Sequence, residues 1–235
     1  MAEERFSDME TNWTRIRAAH LPGPEGQRAM SELISRYHDA VKRYLHLKVR
    51  DPHLAADILQ DFWTKVLNHK LANADHDKGR FRDYLRTILH RLVIDHYRER
   101  KLQSLPAEDL LDDSRPDPDL DSVWRQTVLK GALKRLETFQ AMTPRNQYAT
   151  VLNLRLANPR TPIETLAATL AAQTGRPITP EAFRKTLQRA RAKYVQLLIE
   201  EIRQTIHPST DEDVYAEMYD LGLGRLLKRL QTGIE

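Results

Sequence analysis

Residues 77–101 read DKGRFRDYLRTILHRLVIDHYRERK. Arginine recurs at almost every turn, aromatic residues stand among the cations, and Leu92, Val93 and Ile94 follow in a row. At about 100° per residue, Phe81, Tyr84, Leu85, Ile88 and Leu92 share one side, which is assigned to a core. Arg82, Arg86, His90, Val93, Tyr97, Arg100 and Lys101 fall broadly on the other. Such a mixed face suits a single nucleic-acid strand: cations follow the phosphates, and apolar or aromatic surface receives an unstacked base. A middle helix buried against two neighbours, with arginines snorkelling to water, has the same spacing. Spacing leaves both readings open. Asp95 lies towards the apolar side, where an unpaired carboxylate is costly. Arg91 at i−4 and Arg98 at i+3 can reach it, so a structural ion pair is expected there.

Working outward, the chain reads as all-α. Met30, Leu33, Ile34, Tyr37, Val41, Tyr44 and Leu45 recur at three- and four-residue spacing and predict a helix to about Val49. Asp51-Pro52 reads as an N-cap with proline in the first turn, opening a helix to about Asn68. Residues 102–121, LQSLPAEDLLDDSRPDPDLD, hold three prolines and seven acids against one base and read as a linker. Helical pattern resumes at Val123 and runs to about Phe139, and another helix spans about 146–157. Thr161-Pro162-Ile163-Glu164 reads as a capping box. After the turn QTGRPITP, Thr179-Pro180 caps a long helix to about Ile206. EMYDLGLGRLLKRL in the tail suggests one more short helix. No convincing strand or internal repeat is found. The expected domains are 1–103 and 122–206, with an acidic linker over 104–121 and an extension over 207–235.

Composition narrows the function. The 235 residues include no cysteine, which excludes disulfides and thiolate-bound zinc. No apolar run is long enough for a bilayer. MAEERFSDME is acidic and lacks an apolar leader core, so a cytoplasmic protein is expected. Net charge is +4, but the linker and the last 29 residues are acidic, which leaves +13 on the rest. Two basic bodies of this kind read as a phosphate footprint. Ordinary solvated helix surface is the plainer alternative.

Two further constellations carry chemistry. Around QTGRPITP, two capped helices joined by a turn with Gly175 form a helix-turn-helix pattern. On the second helix Phe183, Leu187, Ala190, Tyr194 and Leu198 point inward. Glu181, Lys185, Gln188 and Arg189 point outward in the first half, where a recognition helix reaches base edges. The turn is longer than the usual three or four residues. In AADILQDFWTKV (55–66), Asp57 and Asp61 are one turn apart beside Gln60. No further carboxylate, histidine or glycine loop completes an acid–base or metal site there, so an acidic edge for a basic partner is expected. The nine histidines offer pairs six or seven apart, not the one-turn spacing of a zinc helix. No metal, cofactor or catalytic residue is expected.

AADILQDFWTKVL, then GRFRDYLRTILHRLVIDHYRERK, then a helix-turn-helix ending TPEAFRKTLQRARAKY resembles, in that order, a bacterial RNA polymerase sigma factor over roughly residues 12–206. The short linker, with no domain between the two bodies, resembles the extracytoplasmic-function (ECF) group. The resemblance implies a non-enzymatic initiation factor that docks on core RNA polymerase through Asp57, Gln60, Asp61 and Trp63. It implies that the 77–101 helix captures the melted promoter strand through Arg82, Arg86, His90, Arg91, Tyr97, Arg100 and Lys101. It implies duplex reading by Thr179, Glu181, Arg184, Lys185, Gln188 and Arg189, and an anti-sigma factor as a possible partner. Arg91 stands where the family often has asparagine, and Trp63 where phenylalanine is usual. A helix-turn-helix regulator acting without polymerase is the alternative.

Overall fold

The computed structural model describes residues 18–19, 21–68, 79–99, 118–143, 146–207 and 210–226. Arg100, Lys101 and most of the acidic linker lie outside them. The fold is all-α. In chain order the helices are α1 (Pro24–Lys48), α2 (Pro52–Leu67), α3 (Phe81–Glu99), α4 (Pro118–Met142), α5 (Tyr148–Ala157), α6 (Ile163–Thr174), α7 (Pro180–Arg203) and α8 (Asp211–Asp220). A two-residue antiparallel pair departs from the strandless expectation: β1 (Gly79–Arg80) meets β2 (Ile206–His207), with Gly79 opposite His207. Ile206 thus leaves the end of α7 to serve a strand. The described residues fall into two compact units, one running to Thr127 and including Ile202–Leu221, the other comprising Val128–Glu201 and the residues from Gly222.

In the first unit the predicted apolar stripes form the core. Leu33, Tyr37, Val41, Tyr44 and Leu45 of α1 are buried, as are Leu54, Ile58 and Phe62 of α2. Asp51 caps α2 as expected, its Oδ1 accepting from the His53 backbone N–H at 2.9 Å with Pro52 in the first turn. α4 begins at Pro118, five residues before Val123, so residues 118–121 are helix rather than linker. Asp119 and Asp121 sit in its first turn, where the helix dipole favours negative charge. Their spacing also brings Leu120, Val123 and Trp124 onto one buried face. The Trp124 ring stacks on Tyr37 at 5.5 Å, and Phe81 lies 5.0 Å from Tyr37 and 5.9 Å from Trp124. This aromatic trio ties α4 to α1 and to the start of α3, each ring contributing about 1.5–3 kcal/mol of burial.

Helix in the tail begins earlier than expected, and residues 224–226, inside the expected stretch, are helical as well. α8 starts at Asp211 behind a capping box, in which Thr210 and Asp213 satisfy each other's backbone N–H groups. Val214, Met218 and Leu221, at four- and three-residue spacing, are its buried stripe within the first unit. In the second unit, Leu136 of α4, Val151 and Leu152 of α5, Leu166 and Leu170 of α6, and Phe183, Leu187 and Ala190 of α7 share one core. The capping box expected at Thr161 does not form. Pro162 takes the cap position, where it offers no side-chain acceptor, and the helix starts one residue later than that box requires.

Candidate nucleic-acid interface

α3 buries a different side from the one its spacing suggested. Phe81, Arg82, Leu85, Leu89, Leu92 and Val93 are buried along one broad side, about 120° of the circumference, with Ile94 buried apart from them. Arg82, assigned to the outward side, is 5% exposed. Its guanidinium pairs with Asp121 of α4 and, at 3.1 Å, with Glu217 of α8. Val93 is buried as well. The reason is topological: the outward side of α3's first turn is covered by elements distant in sequence. Arg86 is half-buried and pairs with Asp83 at 3.1 Å. The His90 ring stacks on Tyr44 at 6.4 Å. Burial pushes the phenol of Tyr84 up to about 12, which keeps it neutral.

The exposed strip of α3 consists of Arg91, Asp95 and Arg98, with Glu99 at its end and His90, His96 and Tyr97 half-buried beside it. Asp95 therefore faces water, and no ion pair to Arg91 or Arg98 forms among the described residues; an exposed carboxylate has no desolvation to offset. Asp95, His96, Arg98 and Glu99 line an open cleft with Asp61 and Lys65 of α2. Cations and acids alternate there.

On α2, Asp57 and Gln60 are exposed. Asp61 is held at 2.9 Å by Lys65 and lies 3.5 Å from the Nε2 of His96. Trp63 is half-buried, edge-on to Phe62 at 4.9 Å and stacked with His38 at 6.0 Å. Its indole N–H is buried without a hydrogen-bond partner. These four residues form one edge, with Trp63 anchoring it to α1.

The turn after α6 is set by Gly175, whose φ of 66° ends the helix in the left-handed region that glycine tolerates. α7 follows with Thr179 as cap, its Oγ1 accepting from the Ala182 N–H at 3.1 Å. Phe183, Leu187, Ala190 and Leu198 are buried, as the spacing predicts. Tyr194 is partly buried and donates to the Leu129 carbonyl at 3.1 Å. Thr179, Glu181, Arg184, Lys185, Gln188 and Arg189 are all exposed. They are not equivalent. Arg184 pairs with Glu164 of α6 at 2.7 Å, and Lys185 with Glu181 at 2.7 Å. Gln188 and Arg189 have no such partner among the described residues.

Sequence reasoning missed Arg80, Asp121 and Glu217. Arg80 precedes α3 and reaches Glu217 at 3.0 Å and also Asp220. Glu217 is fully buried. A signal was present in the 4–3 spacing of Val214, Met218 and Leu221, which puts Glu217 beside an apolar stripe. Among the described residues no cluster of acidic or imidazole side chains could hold a metal, and no helix is long and apolar enough to cross a membrane.

Residues 33–103 match the family model for Sigma-70 region 2. That span starts within α1 and covers α2 and α3. No curated protein and no solved structure matches the chain.

Proposed function

We propose that this chain is a sigma factor of the ECF type, which binds core RNA polymerase and directs it to promoters by reading and melting DNA. The observation that carries this reading is the Sigma-70 region 2 match across 33–103, together with the exposed polar face of α7's first half. Work is done by binding energy, not by covalent chemistry. Within 1–103, the α2 edge with Asp57, Gln60, Asp61 and Trp63 docks on polymerase. The α3 surface with Arg91, His90 and Tyr97, together with Arg100 and Lys101, which come next in sequence, holds the melted strand: guanidinium and ammonium groups follow phosphates, and the rings receive a base. Within 122–206, α6 and α7 act as a helix-turn-helix. Gln188 and Arg189 are the side chains freest to meet base edges, and Thr179 and Glu181 stand at the helix start nearest the groove. Lys185 and Arg184 contact DNA after exchanging a carboxylate for a phosphate. The protein works in the cytoplasm, and an anti-sigma factor could mask either surface.

The test is reconstitution. Core polymerase with this chain should give transcripts from a defined start on promoter DNA and none without it. A chain that binds duplex DNA but neither co-purifies with core polymerase nor confers initiation is a regulator of the alternative kind. Asp61→Arg should weaken polymerase binding while leaving helix content unchanged by circular dichroism; full polymerase affinity in that variant removes the α2 edge from the docking surface.

A further inference from the structure

Arg80 and Arg82 flank the start of α3, and carboxylates meet both. Glu217 forms an ion pair with Arg80 at 3.0 Å and accepts from Arg82 at 3.1 Å. Asp220 meets the same Nη1 of Arg80 as Glu217 does, while Asp121 meets the Nη1 of Arg82 and Glu217 its Nη2. Two of these three acids come from α8. Planar guanidiniums bind carboxylate and phosphate oxygens by the same forked geometry, so an acidic helix on an arginine pair occupies the positions that a nucleic-acid backbone would take. We propose that Arg80 and Arg82 form a phosphate-binding site for single-stranded DNA, and that α8 closes this site in cis with carboxylates in place of phosphates. The proposal rests on the nucleic-acid reading above and adds its regulation.

The fit of α8 on the arginines is incomplete. Arg82 Nε and Glu217 Oε1 are both buried without a hydrogen-bond partner, although buried polar atoms are ordinarily satisfied. Burial also raises the Glu217 carboxyl above its ordinary range, against the opposing pull of Arg82 and Arg80. Its charge is therefore held at a cost, and the contact that keeps α8 in place is the stripe of Val214, Met218 and Leu221. A phosphate strand brings more acceptor oxygens and greater charge to the same arginines, and so competes with the helix on favourable terms.

The test uses the full chain and a fluorescein-labelled single-stranded oligodeoxynucleotide, without polymerase. Val214→Asp removes the apolar hold of α8 and adds a negative charge, so no gain in DNA affinity can come from an added cation. The expected result is on the order of tenfold tighter binding with helix content retained. Arg80→Ala with Arg82→Ala in the same background should erase the gain. A folded Val214→Asp chain that binds no tighter overturns the proposal, as does a gain that survives loss of both arginines. The chain has no native cysteine, so a nitroxide on Tyr219→Cys, an exposed position on α8, reports displacement even where Val214→Asp does not fold. Saturating oligonucleotide should mobilise that label; an unchanged spectrum overturns the proposal. Failure of polymerase-dependent transcription would sink the sigma reading and leave both of these measurements standing.

Discussion

The Nη2 of Arg82 lies 3.1 Å from the Oε2 of Glu217, although 135 residues separate the two in sequence. One partner opens α3 and the other sits in the middle of α8. Asp121 completes the contact from the first turn of α4. Three helices remote in sequence thus converge on one guanidinium inside the first unit.

Removing both members of the Arg82–Glu217 pair should cost less than the sum of removing each alone. Arg82→Met leaves the buried Glu217 carboxyl with Arg80 as its remaining cation, and Glu217→Leu leaves Arg82 with Asp121 alone. Each single change is expected to cost about 3–5 kcal/mol, the range for breaking a buried ion pair. The double change should cost less than the sum, because no uncompensated Glu217 charge remains. Urea unfolding of the four proteins measures the coupling, and additive losses would show that the pair is not energetically linked.

The same carboxylate gives stability a pH signature. Its desolvation outweighs the attraction of Arg82 and Arg80, so its pKa in the folded chain lies above the ordinary value of 4.5. An acid of raised folded pKa binds a proton more readily in the folded state. Its contribution is therefore most favourable below pH 4.5 and is lost as pH rises through the folded value. Glu217→Gln has no such proton to lose. The stability difference, wild type minus Glu217→Gln, should fall from acid pH to neutral pH. A difference that rises over that interval contradicts the burial account.

Local patterning carried most of the helices, since stripe spacing, the Asp51 cap and the Thr179 cap depend on residues near in sequence. The inward face of α7 was legible for the same reason: Phe183, Leu187 and Ala190 keep a strict 3–4 spacing and all are buried. α3 was not legible. A cationic face packed under carboxylates and a cationic face open to DNA share one spacing, and only the positions of α4 and α8 separate them. The start of α4 was hidden by composition, because Pro118, Asp119 and Asp121 serve a helix's first turn as well as they serve a linker. The residues of α7's outer face are exposed as the spacing predicts, but which cations are already paired depended on Glu164 and Glu181.

Gly131 sits in the interior of α4, where alanine ordinarily gains about 1 kcal/mol over glycine. Here the opposite is expected. A Cβ at this position would collide with the side chain of Glu201, which is buried and lies 3.9 Å from Arg135. Gly131→Ala must push that carboxylate away from its cation or shift α4. A loss of about 1–3 kcal/mol is expected, as for other overpacked sites. A higher melting temperature for Gly131→Ala would show that Glu201 swings aside freely.

The pairing of cations on α7 divides its outer face into two classes of DNA contact. Gln188 and Arg189 are exposed without an ion-pair or hydrogen-bond partner among the described residues, so their full contact with DNA is lost on truncation. Lys185 and Arg184 must first leave Glu181 and Glu164, and an exposed ion pair of that kind offsets up to about 1 kcal/mol. On a cognate duplex, Gln188→Ala and Arg189→Ala are each expected to weaken binding by about 1–3 kcal/mol. Lys185→Ala should weaken it less. Binding measured across salt concentrations and on a scrambled duplex separates the roles. A base contact loses affinity on the cognate sequence alone, and a phosphate contact loses it on both and reduces the salt slope by about one. Equal losses for Lys185→Ala and Gln188→Ala on the cognate duplex would mean that the Glu181 ion pair does not compete with DNA.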